Sequence, residues 1–452
     1  MNVTITPAKL SGTVTPPPSK SQAHRVLIAA ALADGECAIS NVAFSQDIEA
    51  TINCLENLGA EFARAGSTVT VRGMGANAMS PLRRLAYPRL DCGESGSTLR
   101  FLIPVALAVR GGGIFSGRGR LMERPQTPYF DLFDQKGIFH EQKDGVLTVT
   151  GMLTPGTYRL PGDVSSQFVT GLLYALPLLE GDSEIVLTSP LESRGYVDMT
   201  LDALKTFGIR VRWKNARTFL IPGGQLYQPR SLTLEGDWSQ AAFWYAAQAL
   251  GDPVTVEGMD QRSIQGDRAF LDWVRMVKNE PMAGGAAVPI WGAGPEETPS
   301  PGSSGGCAVS IDVSQNPDLV PPLAVMGALM NGRLRIKNAA RLRIKESDRL
   351  ASVTQVLSAL GADVTEGPDF LTIQGKKSLP GGAAVDSFND HRVAMMAAIA
   401  ATRCERPVTV LGAECVAKSY PNFWDDYKAL GGNIQKTNGG TPNGNDKIDP
   451  SL

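Results

Sequence analysis

One pattern recurs six times along the chain. A small or polar cluster opens an alanine-rich helix, a glycine and a short β-branched run follow, and a second helix ends near glycine. The openings read SKSQAHRVLIAAAL from Ser19, ESGSTLRFLIPVAL from Glu94, SSQFVTGLLYALPL from Ser165, SQAAFWYAAQAL from Ser239, PDLVPPLAVMGAL from Pro317 and DHRVAMMAAIAA from Asp390. Aligned on Ser21, Gly96, Ser166, Gln240, Asp318 and His391, they stand 75, 70, 74, 78 and 73 residues apart, beyond the ~20–50 residues of solenoid repeats. Each unit is therefore expected to be a small βαβα-like subdomain that packs against its neighbours around a shared core. The second helices are expected to end at Gly59, Gly137, Gly208, Gly361 and Gly431, where glycine takes the left-handed conformation that closes a helix. In the fourth unit Asn279 holds that place.

Three stretches punctuate the repeats. TPPPS at 15–19 is a stiff lead into the first helix, LEGDWS at 234–239 stands in the same place before the fourth unit, and 281–306 reads as a long loop with one short strand. Three units lie between the first two stretches and three follow. The expected domains are 19–236, and 1–18 joined with 237–434, with 435–452 as a disordered tail too poor in apolar residues to offset its ordering entropy. With 452 residues, 43% of them hydrophobic, the chain has ample material for two cores.

The net charge of −2 supplies no field suited to nucleic acid or an anionic membrane, so anion binding must come from local placement of Arg and Lys. No apolar run reaches the ~20 residues of a membrane span, and the opening MNVTITPAKL has no signal-peptide core. The six cysteines have no C-x-x-C spacing, which fits free thiols in a reducing, cytoplasmic compartment.

Charged residues gather at one place in each unit, the start of a helix. Lys20, Ser21 and Arg25 open the first unit, Gly96, Ser97 and Arg100 the second, Ser165, Ser166 and Gln167 the third, Asp318 the fifth, and His391 and Arg392 the sixth. The second helices begin near Arg124, near Arg194 and Tyr196, near Lys345, Glu346 and Arg349, and near Lys418. Free N–H groups and the positive end of the macrodipole already make such ends anion sites. Basic side chains there run against the usual preference for Asp and Glu, so these charges suit a ligand. Each residue also has a plainer reading. Ser21, Ser165, Ser166 and Asp318 could be caps worth ~1 kcal/mol each, Arg100 and Arg349 could form exposed pairs with Glu94 and Glu346, and His391 could be a core histidine. Cys92 reads as a small buried residue rather than a nucleophile. P-loop, G-x-G-x-x-G, H-E-x-x-H and G-x-S-x-G motifs are missing, as is any metal-ligand spacing. The remaining excess of guanidinium and ammonium groups suits small, multiply anionic ligands, with Asp318 and Glu346 left to move protons.

The segments PPPSKSQAHR, CGESGSTLRF, RPQTPYF, GDVSSQF, SRGYVDMT, NPDLVPPLA, RIKESDRL, NDHRVAMM and AKSYPNF resemble, in order over residues 5–434, those of the 5-enolpyruvylshikimate-3-phosphate synthase (3-phosphoshikimate 1-carboxyvinyltransferase) family. The resemblance implies an α/β fold of two inside-out α/β-barrel domains, each of three β-α-β-α-β-β units, with the N-terminal strand joining the second domain and helix N-termini facing a closing cleft. It implies transfer of the enolpyruvyl group of phosphoenolpyruvate to the 5-hydroxyl of shikimate 3-phosphate through a tetrahedral intermediate, with no cofactor or metal. By resemblance the shikimate 3-phosphate pocket is Lys20, Ser21, Arg25, Ser165, Ser166, Gln167, Ser193, Tyr196, Asp318 and Lys345. The phosphoenolpyruvate pocket is Lys20, Gly96, Arg124, Gln167, Arg349, Arg392 and Lys418, with Arg100 close by. Asp318, Glu346 and Lys20 are the implied catalytic residues.

Four positions depart from the best-known members of the family: Glu94 where asparagine is common, Ser97 for threonine, Phe101 where proline is frequent, and Arg341 for asparagine. Gly96 leaves room beside phosphoenolpyruvate, as in members inhibited by glyphosate. A UDP-N-acetylglucosamine enolpyruvyl transferase is the rival within the same fold, but it carries a reactive cysteine in the loop matching 114–124, which here reads IFSGRGRLMER. A non-catalytic anion-binding scaffold would be expected to have lost Asp318, Glu346 or Lys20, and all are present. The expected partners are the small-molecule substrates alone, with the chain a monomer.

Overall fold

A computed structural model describes residues 1–75, 87–278 and 308–438. The described residues form six helix pairs: α1 (Lys20–Leu32) with α2 (Gln46–Leu58), α3 (Gly96–Arg110) with α4 (Thr127–Lys136), α5 (Ser166–Ala175) with α6 (Arg194–Thr206), α7 (Trp238–Ala249) with α8 (Phe270–Lys278), α9 (Val320–Leu329) with α10 (Arg349–Ala359), and α11 (His391–Ala401) with α12 (Phe423–Ala429). All five expected closing glycines are left-handed, with φ of 109° at Gly59, 66° at Gly137, 81° at Gly208, 96° at Gly361 and 84° at Gly431. Asn279, Cys307 and the loop expected at 281–306 lie outside the described residues.

Among the described residues five four-stranded sheets share one design. In the second unit Arg89–Asp91 runs parallel to Gly112–Ser116, which pairs antiparallel with Val146–Thr150, itself antiparallel to Phe139–Lys143. Two units complete this design with distant chain. Leu232–Thr233 supplies the parallel strand beside Glu36–Ser40 of the first unit. Asn2–Thr6 fills the sixth unit between Val408–Leu411 and Asn433–Thr437, with Val3 opposite Val410 and Ile5 opposite Ile434. That last strand runs to Thr437, past the expected start of the disordered tail, because Gln435 and Lys436 pair with Thr4 and Val3. Residues 439–452 lie outside the described residues.

Two hydrophobic cores result, one drawn from Ala23 to Leu234 and the other from Val3–Val14 together with Ala242–Leu430. The first helix of each unit is the inner one. Ala23–Leu32 of α1, Leu99–Val109 of α3 and Val393–Ala401 of α11 are buried without a break, as expected for helices apolar all round. The second helices bury a single face; α2 buries Ile48, Ile52 and Leu55 while Glu49, Asn53 and Glu56 are not buried. With sheets outside and the first helices inside, the N-termini of the inner helices meet between the two cores. The chain passes between the cores twice, and the two passages are joined by Ser19 N–H donating to Glu235 O at 2.8 Å and Asp237 N–H to Pro17 O at 2.9 Å.

Candidate active site

Capping fixes how the helix starts are presented. Ser19 Oγ accepts from Gln22 N–H at 3.3 Å, Ser95 Oγ from Thr98 N–H at 3.1 Å, and Ser165 Oγ from Gln167 N–H at 3.3 Å. Asp390 accepts from Arg392 N–H at 2.9 Å. Among the serines read as caps, only Ser165 is one; Ser21 and Ser166 stand inside the first turn and line the cleft. Asp318 is not a helix cap either, because it sits within the 3₁₀ turn Pro317–Leu319 that leads into α9.

Of the residues singled out from sequence, Lys20, Ser21, Arg25, Gly96, Arg124, Ser165, Ser166, Gln167, Ser193, Tyr196, Asp318, Lys345, Glu346 and Arg392 line one cleft enclosing about 90 Å³. Arg100 and His391 line it too. Arg349 and Lys418 stand just behind the wall, 1% and 5% exposed. Two charged lining residues, Asp47 and Arg341, carried no role in the sequence reading. Asp47 holds the Lys20 ammonium at 2.8 Å, and Arg341 donates to Ser193 Oγ at 3.0 Å and pairs with Glu192. Asp47 carries no special sequence signal, being an ordinary acid in the first turn of α2. Arg341 did carry one, as a departure from the family pattern.

Asp318 is the electrostatic centre. Its carboxylate meets Arg349 Nη1 at 2.9 Å, Lys345 Nζ at 3.2 Å and Arg392 Nη2 at 3.4 Å, and accepts from the Tyr196 hydroxyl at 3.3 Å. Burial alone would raise its pKa, but Lys345, Arg392 and Arg349 outweigh burial and hold it well below the usual carboxylate range. Glu346 follows the same logic: Arg349 Nη2 at 2.7 Å and Arg124 Nη1 at 3.7 Å overcome burial and keep it ionised. Arg349 is therefore a buried fork rather than half of an exposed pair, bound also to Asp390 at 2.9 Å.

Three guanidinium groups on the other side have weaker compensation. Arg25 donates to Thr200 Oγ1 at 2.9 Å and to the carbonyls of Tyr196 and Ser21 at 2.8 and 2.6 Å, all neutral oxygens. Arg100 is buried and donates to Gln167 Oε1 and Pro125 O, both at 2.9 Å, so it is not the exposed partner of Glu94. Among the described residues the Nε atoms of Arg100 and Arg124 have no hydrogen-bond partner. Burial pushes the pKa of Arg25 and Arg100 down, Arg100 further through its neighbour Arg124. Positive charge so poorly neutralised is built to receive an anion. His391 is buried at the cleft edge, both ring nitrogens unpartnered, and burial with Lys20 and Arg392 nearby lowers its pKa well below 6.5, leaving a neutral imidazole. Cys92 is buried and its thiol is pushed well up by burial, which makes it inert. Among the described residues no cluster of His, Cys, Asp and Glu could hold a metal ion, and no helix is long and apolar enough to cross a membrane.

The fold is met in proteins already described. In overall shape the chain is similar to EPSP synthase from Acinetobacter baumannii, with TM-score 0.73 at 23% identity over 97% of this chain and all of that one. It is also similar to the enolpyruvyl transferase NikO from Streptomyces tendae, with TM-score 0.72 at 18% identity over 96% and 98%. At those identities the likeness speaks for the fold, an α/β fold shared by enolpyruvyl transferases. Sequence relatives are nearer. The 3-phosphoshikimate 1-carboxyvinyltransferase of Clostridium kluyveri is 45% identical over 436 residues, 96% of this chain and 98% of that protein. Its counterpart in Clostridium novyi is 43% identical over 444 residues, again 96% and 98%. The family model for EPSP synthase (3-phosphoshikimate 1-carboxyvinyltransferase) matches residues 5–427. With that span and those identities, the chain belongs to the EPSP synthase family.

Proposed function

We propose that the chain transfers the carboxyvinyl group of phosphoenolpyruvate to the 5-hydroxyl of shikimate 3-phosphate and releases phosphate. The observation that carries the chemistry is one ionised carboxylate, Asp318, set among Lys345, Arg349 and Arg392 inside a ring of helix N-termini. In this reading Lys20, Ser21, Arg25, Ser165, Ser166, Gln167, Ser193, Tyr196, Asp318 and Lys345 hold the shikimate ester. Lys20, Gly96, Arg124, Gln167, Arg349, Arg392 and Lys418 hold phosphoenolpyruvate. Because the lining residues come from helix starts of both halves, in this reading 19–236 and 1–18 plus 237–434 act as domains that part and close.

Asp318, ionised, takes the proton of the 5-hydroxyl as that oxygen attacks the phosphate-bearing carbon, and the methylene carbon is protonated. Asp318 and Glu346 are both held ionised and guanidinium groups keep their protons, so the acid is an ammonium. Lys345 faces the base Asp318 itself at 3.2 Å, and in this reading Lys20, held by Asp47 at 2.8 Å, is the donor. Lys20, now neutral, takes back a methyl proton from the tetrahedral adduct as its C–O bond to phosphate breaks, and the leaving phosphate carries off the proton held by Asp318, giving the enolpyruvyl ether. The surrounding cations stabilise the leaving phosphate without reorganising, the dominant form of electrostatic catalysis. The five described cysteines are free and buried, in keeping with a cytoplasmic enzyme, and because one chain supplies both cleft walls we read it as a monomer.

The test is phosphate release from phosphoenolpyruvate with shikimate 3-phosphate or with UDP-N-acetylglucosamine, alongside Asp318→Ala. Release with the shikimate ester alone, reduced about 10²-fold or more in the variant, is the expected result. Release with the nucleotide sugar would move the chain to the rival transferase, and silence with both would make it a binding scaffold.

A further inference from the structure

Glu94 stands where the best-known members of the family carry asparagine, and the structure gives that carboxylate a partner in the opposite half. Glu94 precedes α3 beside the first core; Lys418 and Asn389 belong to the second. Lys418 Nζ donates to Glu94 Oε2 at 2.6 Å and to the Asn389 carbonyl at 2.6 Å, while Asn389 Nδ2 donates to both Glu94 oxygens at 3.1 and 3.0 Å. The seat is shaped for this contact. Phe388 and Asn389 are consecutive non-glycine residues with positive φ, 52° and 53°, a pairing sterics disfavours. A Cβ on Gly119 would come within 2.6 Å of Glu94 Oε2, so the loop before Arg124 leaves just enough space for the carboxylate.

We propose that Glu94 is a resident counter-anion that ties the two halves together through Lys418 and yields Lys418 to phosphoenolpyruvate. This rests on the reading of Lys418 as a phosphoenolpyruvate ligand. Lys418 is 5% exposed, and an ammonium so buried needs a counter-charge. Among the described residues Glu94 is the one carboxylate paired with it. Glu94 itself is 26% exposed and can swing to water. Phosphoenolpyruvate brings anionic oxygens of its own, so one counter-anion replaces another. It sets the affinity for phosphoenolpyruvate, because part of each binding event goes into displacing Glu94, and it holds the ligand-free halves closer together.

Glu94→Gln keeps the amide contact to Asn389 and removes the charge. The KM for phosphoenolpyruvate is expected to fall about three- to tenfold relative to that for shikimate 3-phosphate. The change should vanish in a Lys418→Met background. Glu61→Gln, which removes one equally negative group from an exposed pair with Arg72 at 3.8 Å, controls for net charge and should shift the KM less than twofold. The ligand-free radius of gyration by small-angle scattering should rise in Glu94→Gln. An unchanged or raised KM for phosphoenolpyruvate, or a fall that persists without Lys418, overturns the proposal. If the unmutated chain releases no phosphate from the two substrates, the functional reading fails. The tether is then decided by scattering, and an unchanged radius overturns it.

Discussion

Gly96 shows how one carbon atom governs an anion site. It is the first residue of α3, and a Cβ there would stand 2.7 Å from Arg124 Nη1 and 3.0 Å from its Cζ. The obstacle is the end of a long side chain, so Gly96→Ala should displace the guanidinium and spare the backbone. We expect the KM for phosphoenolpyruvate to rise about tenfold or more, with the melting temperature within about 2 °C of the parent. Steady-state kinetics beside calorimetry checks this, and an unaltered KM would remove Arg124 from the phosphoenolpyruvate site. Other residues were harder to read. Arg349 was identified from sequence as a binder, yet it bridges Asp318, Glu346 and Asp390 from behind, a position that depends on which face of α10 turns inward. Asp47 was missed because its link to Lys20 joins the starts of two helices, and spacing along the chain does not encode that approach.

At the scale of elements, the helix pairs were legible because their ends are chemically marked. A left-handed closing residue favours glycine, and a polar start offers an acceptor to free N–H groups. The residue within the start was less legible: Ser19 rather than Ser21 caps α1, since several small residues compete within one turn. Sheet completion was less visible still. Leu232–Thr233 is two residues long and joins strand Glu36–Ser40 from far along the chain, and its place in the first sheet follows from tertiary closure. Asp237 exposes the energetics of these starts. It caps α7 through Ser239 N–H at 2.9 Å and Gln240 N–H at 3.0 Å, and its second oxygen accepts from Lys20 N–H of α1 at 2.9 Å. Asp237→Ala strips acceptors from two helices in a buried place and should cost about 2–3 kcal/mol. Ser165→Ala, which loses a single cap at α5, should cost about 1 kcal/mol. Urea denaturation of the two variants decides; equal losses would mean that Asp237 does not couple the helices.

Across the whole molecule, the chain is fastened at its crossings. Its first strand completes its last unit, and the passages between cores bond to each other, so the halves share their stability. Each core also holds one buried histidine on an inner helix, His24 in α1 and His391 in α11. His24 Nδ1 meets Thr51 Oγ1 at 2.8 Å and its Nε2 has no partner, while neither His391 nitrogen has one. Burial, reinforced by Lys20 and by Arg25 or Arg392, holds both pKa values well below 6.5. The sign follows from proton counting. Above 6.5 both states are neutral at these sites. As pH falls below it, the unfolded chain takes up protons that the folded chain refuses, and stability is lost until the lower folded values are reached. Asp318 and Glu346 are depressed below 3.8 and 4.5, so their contribution is intact above those values and is lost only further down. Asp237 and Asp267, raised by burial, act in the opposite sense and return some stability as pH falls through the carboxylate range. The melting temperature should therefore decline between about pH 7.5 and pH 5.5, and the decline should be shallower in a His24→Asn, His391→Asn double variant. Equal slopes in parent and variant would show that the two imidazoles take up protons in the folded chain over the same range as in the unfolded one, and that burial does not keep charge out of these sites.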